Sequence, residues 1–242
     1  MFGYRKKIKS FGQTDRGLVR QHNEDAFLIN DKKHFYAVCD GLGGHVGGEV
    51  ASHIAVDYFC KNINLLGLDD KKKALHDLIF FANQTIYEKS QSDFKLEGMA
   101  TTVVSVLFND NKIFIAHVGD SRAYFITKQE IIRLTKDHSW IQEEVELNHI
   151  SQEQADRHYQ RNILTRALGD VSDVKVDIDV LDIKNGLILL CSDGLTDLIL
   201  DSRIKELVLS NNSLPKISQS LINEAKLNGG SDNITVIIIK IS

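Results

Sequence analysis

Cysteine and proline are scarce in this 242-residue chain, tryptophan occurs once, and neither sign of charge dominates. Each shortage excludes something. Cys39, Cys60 and Cys191 are odd in number and far apart, and they form no C-x-x-C pair, so no framework of bridges can be read from them. All three are read as buried small apolar side chains; a nucleophilic Cys39 or Cys191 would need a base partner that nothing in the sequence supplies. The sole proline, Pro215, marks no linker, and there is no repeat or low-complexity tract. A formal charge of −4, from 29 basic and 33 acidic residues, offers no electrostatic case for nucleic acid. The one basic cluster, Arg5-Lys6-Lys7 with Lys9, reads as a solvated terminus. No apolar run approaches the ~20 residues that cross a bilayer, and the N-terminus lacks the apolar stretch of a secretion signal. The expected location is the cytoplasm, and the expected state is a monomer.

What is present is enough apolar material, 43% of the residues, to build one sizeable core, so a single domain over 1–242 is expected. Strand-like runs come first: "KIKSFGQT", "DAFLIN" and "HFYAVCD", the last two joined by a turn at Asp31 to Lys33. Two helices follow. One places Val50, Ala51, Ile54, Ala55, Tyr58 and Phe59 on a single face, and the other does so with Leu75, Leu78, Ile79, Ala82 and Ile86. A meander is expected next, from "TTVVSVLFND" through "KIFIAHVGD" and "RAYFIT" to "EIIRLT". Residues 136–165 are polar, carry the only tryptophan and read as an excursion from the core. The chain then returns to strands at "VKVDIDVLDI" and "GLILLCSD", two short helices follow, and "ITVIIIKI" closes it. Hairpin-linked strands with helices in separate blocks point to an α+β fold of antiparallel sheets covered by helices.

Four carboxylates share one context. Asp40 ends "FYAVCD", Asp120 ends "IFIAHVGD", Asp193 ends "LILLCSD", and Asp232 opens "DNITVIIIKI". Each sits at the end of an apolar strand beside or close to glycine. Any one alone could be a turn or cap residue. Buried bare, each costs several kcal/mol, and if the strand ends converge all four repel. A divalent cation removes that conflict, and all-oxygen ligation suits Mg²⁺ or Mn²⁺ better than Zn²⁺. The five glycines between Gly41 and Gly48 are expected to clear space for metal and water, and Gly41 could offer its carbonyl. Upstream, "TDRGLVRQHNED" places Arg20 shortly before Glu24 and Asp25. A guanidinium is a natural bidentate partner for phosphate, although Arg20 could equally be a surface ion pair.

"TDRGLVRQHNEDAF", "VCDGLGGHVGGE", "MATTVVSVLF", "AHVGDSRAYF", "LTKDHSW", "LTRALG", "LLCSDGLTD" and "GGSDNITVIII" follow one another across residues 10 to 240. In that order they resemble the metal-dependent protein phosphatases of type 2C, most closely the bacterial branch. The resemblance implies a four-layer αββα sandwich with a two-metal centre of Mn²⁺ or Mg²⁺ at one end. It implies that Asp40 bridges the two ions, Gly41 binds one through its carbonyl, and Asp193 and Asp232 hold the other. Asp120 would help to hold a looser third ion. Glu24 and Asp25 would fix waters, and Arg20 would bind the substrate phosphate. A water bridging the two cations would attack phosphorus directly, so phosphoserine and phosphothreonine proteins are the implied substrates, a cytoplasmic kinase among them. Segment 136–165 matches the position of the family's flap, though as a sequence it could equally be a solvated insert.

One departure concerns the general acid. Animal members carry a histidine directly after the Asp-Gly pair, whereas here Leu42 holds that position and the nearest histidine is His45. His45 could protonate the leaving alkoxide or simply cap the next helix. His117 and His138 read as structural. Two other readings stay open: a catalytically silent module of the same fold, and a phosphatase of small phosphate esters.

Overall fold

The computed structural model describes residues 7–43, 47–151, 154–155, 158, 160, 162–182 and 184–242. Its organisation follows from strands that are apolar on both faces. In β3 (Phe35–Cys39) all five residues are buried. Phe35, Ala37 and Cys39 join one cluster with the helices, while Tyr36 and Val38 join another between the sheets. β12 (Ile234–Ile241) divides likewise, with Ile234, Val236 and Ile238 facing helices and Ile237, Ile239 and Ile241 facing the other sheet. Side chains alternate faces along a strand, so a continuous apolar run is what a sheet covered on both sides requires.

One sheet orders β1 (Ile8–Asp15), β12, β11 (Gly186–Cys191), β8 (Arg122–Ile126) and β9 (Ile131–Arg133). The other orders β10 (Asp177–Asp182), β7 (Lys112–Val118), β6 (Val103–Asn109), β3 and β2 (Ala26–Asn30). Every pairing within them is antiparallel. A short ladder joins β4 (Gly41–Leu42) to β5 (Ala100–Thr101). Helices α1 (Gly47–Asn62) and α2 (Lys71–Ser92) cover the second sheet, burying Ala51, Ala55, Phe59, Leu75, Leu78, Ile79, Ala82 and Ile86. α3 (Trp140–Glu146) belongs to the 136–165 excursion. The turn of helix α4 (Asp193–Thr196), with α5 (Asp201–Leu209) and α6 (Leu214–Leu227), covers the first sheet. The result is the expected αββα sandwich, and each fully buried Ile, Leu or Phe in it contributes about 1.5–3 kcal/mol.

Two expectations need correction. Cys60 is exposed, unlike Cys39 and Cys191, because it lies off the α1 face that buries Ala55 and Phe59. The expected meander is also not one sheet. β6 and β7 form a hairpin in the second sheet, but β8 and β9 belong to the first. The chain changes sheets at Gly119, Asp120 and Ser121, which places Asp120 at an end of the sandwich.

Candidate metal centre

Antiparallel register gathers the acidic strand ends on one rim. In the second sheet, Val38 pairs with Val104 and Val103 with Val118, so the ends of β3 and β7 flank the start of β6 on either side. In the first, Cys191 lies opposite both Val236 and Arg122, which sets the end of β11 beside the starts of β12 and β8. The next residues outward are Asp40, Asp120, Asp193 and Asp232. Glu24 and Asp25 arrive just before β2.

Hydrogen bonds fix the backbone beneath these carboxylates. Asp40 N–H donates to Thr102 Oγ1 at 3.0 Å, and its carbonyl accepts from Thr101 Oγ1 and Thr102 N, each at 2.8 Å. Ser192 Oγ donates to Asp25 Oδ2 at 2.8 Å. Asn233 ties three segments together: its Oδ1 accepts Glu24 N–H at 2.7 Å, while its Nδ2 donates to the Arg16 and His22 carbonyls. Asn233 and Ser192 carry no flag in the sequence beyond being polar residues next to a strand-end aspartate, and Thr102 none beyond being polar at the head of an apolar run. Arg20 Nη2 donates to Asp232 Oδ2 at 2.6 Å, so Arg20 does form an ion pair, and its partner is one of the four strand-end aspartates.

The carboxyls repel one another. Burial first, then Asp25, Asp193 and Asp120, push Asp40 well above the usual carboxylate range. Burial and the charges of Asp120, Asp197 and Asp232 do the same to Asp193. Asp120 is pushed up to about 7, chiefly by burial and Asp137. Asp25 rises to about 6, chiefly by burial, and its Oδ1 is buried without a hydrogen-bond partner. Glu24 is raised by burial despite Arg20. Burial alone would lower the Arg20 guanidinium, but Asp232, Glu24 and Asp193 raise it. Crowded, raised carboxyls and an orphaned carboxylate oxygen form an all-oxygen donor set that fits a hard divalent cation.

Gly41 and Gly48 are required by close backbone packing. A Cβ on Gly41 would lie 2.2 Å from the Gly48 carbonyl oxygen and 2.6 Å from that of Glu24. They let the strand end, the start of α1 and the Glu24 segment pack backbone to backbone, which brings the carboxylates together. His45 lies outside the described residues. His117 is a buried strand residue bonded to the Lys136 carbonyl at 2.8 Å, and His138 is also buried. Beside Asp120 and Asp193 opens a cavity of about 540 Å³, walled by Ser139, Ile141 and Gln142 of the 136–165 segment and by Leu198 and Ile199.

Residues 9–234 match the family described as protein phosphatase 2C. The chain is 37% identical over 236 residues to the serine/threonine phosphatase stp of Listeria innocua, with 94% of each chain covered. The crystal structure of serine/threonine phosphatase Stp1 from Staphylococcus aureus superposes with a TM-score of 0.91 at 33% identity, covering 98% of this chain and 96% of that one. The catalytic domain of the serine/threonine protein phosphatase PstP, in complex with two manganese ions, gives a TM-score of 0.87 at 31% identity, covering 97% and 98%. With its sandwich, its acidic rim and its sequence all in agreement, the chain belongs to the protein phosphatase 2C family.

Proposed function

We propose that this protein hydrolyses phosphoserine and phosphothreonine in proteins, at a centre holding two Mn²⁺ or Mg²⁺ ions and a looser third. One observation carries the reading: Asp40, Asp120, Asp193 and Asp25 crowd onto one rim with raised pKa values and no ion pair to any of them among the described residues. Asp40, the Gly41 carbonyl, Asp193 and Asp232 would hold the pair of ions, and Asp120 would help hold the third. The bound ions would supply a water ionised near neutrality and offset the phosphoryl charge.

The chain's own groups do the rest. Arg20, half exposed at the rim, is placed to take the phosphate as a planar donor, and exchanging its Asp232 partner for phosphate links substrate binding to the state of that carboxylate. Glu24 and Asp25 offer oxygens to order water. Water oxygen bonds to phosphorus as the ester oxygen leaves; a general acid gives its proton to the departing alkoxide and is restored by the proton that the water loses. His45 is the proposed donor on chemical grounds alone.

We read residues 1–242 as one phosphatase domain. The 136–165 segment acts as a flap that shapes the cavity beside Asp120 and Asp193 for substrate. A charge of −4 and the absence, among the described residues, of a helix long and apolar enough to cross a membrane fit a cytoplasmic monomer. Its phosphoprotein substrates would include a kinase that it opposes. Phosphate release from a phosphothreonine peptide tests the proposal: it should require Mn²⁺ and stop with EDTA, and turnover that survives EDTA would contradict it.

A further inference from the structure

Away from the acidic rim, the described residues hold one other group of possible metal ligands. The ligand atoms of His117, His138 and Asp177 lie within 4.8 Å of one another. Hydrogen bonding argues against a cation there. The Gly119 N–H can only donate, so His138 Nδ1, at 3.1 Å, accepts. The ring proton is then on Nε2, 3.2 Å from Asp177 Oδ2, and neither nitrogen keeps a lone pair for metal. Arg166 Nη1 stands 3.1 Å from Asp177 Oδ1 and 3.2 Å from His138 Nε2, which puts a positive charge against any incoming ion.

The same bonds lead elsewhere. Gly119, in the left-handed region at φ +103°, immediately precedes Asp120. Its N–H is held by the His138 ring, and its carbonyl accepts the His138 N–H at 2.9 Å. One residue therefore holds both polar groups of Gly119. A Cβ at Gly119 would lie 2.6 Å from Thr102 Cγ2, so this turn is packed as well as bonded. The His117 ring stacks on that of His138 with centroids 4.6 Å apart. Burial, His117 and Arg166 push His138 down to about 4, so the ring is neutral at physiological pH. The His138 carbonyl also accepts Thr165 N–H at 2.9 Å, where the 136–165 segment returns to the core.

We infer that His138 is a positioning residue: oriented by Asp177, it fixes the Gly119 peptide and with it the aim of the Asp120 carboxylate at the acidic rim. It rests on the reading of Asp120 as a ligand of the loosest cation. Outer-shell partners of this kind, when removed, typically cost 10–100-fold in metal affinity or activity.

Calorimetric titration with Mn²⁺, alongside kcat and KM on a phosphothreonine peptide, tests it in four variants. His138→Leu should weaken the loosest class of Mn²⁺ sites about tenfold and lower kcat with KM unchanged, while the tighter sites bind as before. His138→Asn keeps an acceptor near the Nδ1 position and should restore both to within about threefold of wild type. A folded His138→Leu protein that binds Mn²⁺ like wild type overturns the inference, as does an Asn variant no better than Leu. If His138→Leu does not fold, Asp177→Asn carries the test, because it should weaken the same class of sites and unchanged affinity would overturn the idea. Asp120→Asn separates the two levels: if it leaves all Mn²⁺ binding unchanged, the reading of Asp120 itself has failed.

Discussion

Two sets of carboxylates line one end of this sandwich, and they are balanced in opposite ways. Asp137, with little exposed surface, is gripped by Arg122 through three hydrogen bonds and by Arg133 in an ion pair. Burial alone would lower Arg122, yet Asp137 keeps it well above its ordinary value. Asp120 and Asp193 line the same cavity as Asp137, Asp40 lies close enough to Asp25, Asp120 and Asp193 to feel their charge, and none of these four meets an ion-pairing cation among the described residues. Their pKa values rise instead. A carboxylate that serves the fold brings its counter-charge in the same chain. Those at the rim leave theirs to be supplied from solution, and the strain of that arrangement is held in place by strands, backbone-packed glycines and Asn233.

Removing one member from each set should separate them. On the proposed reading, Asp193→Ala is expected to lower kcat on a phosphopeptide by about 10³-fold or more, since it would take away a carboxylate holding an ion that offsets charge on the phosphoryl group. Circular dichroism should show the fold intact, because no protein cation loses its partner. Asp137→Asn should do the reverse. It leaves Arg122 buried with a neutral neighbour, and breaking such a pair costs about 3 kcal/mol, to be read as a lower urea midpoint at unchanged slope. A variant of Asp137 as stable as wild type would erase the distinction. The smallest effect belongs to Arg20, which bridges the two behaviours by pairing with Asp232 at an exposed site. Arg20→Ala should raise KM about tenfold with a smaller loss in kcat and change stability by less than about 1 kcal/mol; an unchanged KM would remove its phosphate role.

Much of this was legible from the residues. Strands apolar on both faces, the spacing of Leu75, Leu78, Ile79, Ala82 and Ile86, and the four aspartates at strand ends each have a local cause, so local pattern reports them. Features that depend on distant segments meeting were not. The switch of β8 and β9 to the first sheet occurs across three residues whose turn chemistry looks like that of any hairpin. The glycines after Asp40 were legible as a demand for close approach, but what approaches, the Glu24 and Gly48 carbonyls, emerges only when the elements are packed. Asn233 and His138 show the same limit, since a single polar side chain does not announce which backbone groups it will hold.

The central claim is that the acidic rim is destabilising until a cation neutralises it. A carboxyl whose pKa is raised in the folded state contributes stability below its unfolded value, near 4, and loses that contribution as pH rises through the folded value. For Asp25 and Asp120 those folded values are about 6 and 7, and Asp193 is raised in the same direction. The most direct measurement is therefore the melting temperature of wild type and Asp193→Asn in EDTA and in Mn²⁺, at pH 5 and pH 8. The prediction is that in EDTA the Asn variant melts above wild type, by a margin that widens from pH 5 to pH 8, and that Mn²⁺ raises wild type far more than the variant. An Asn variant that melts below wild type in EDTA at pH 8, and gains as much from Mn²⁺, would contradict it.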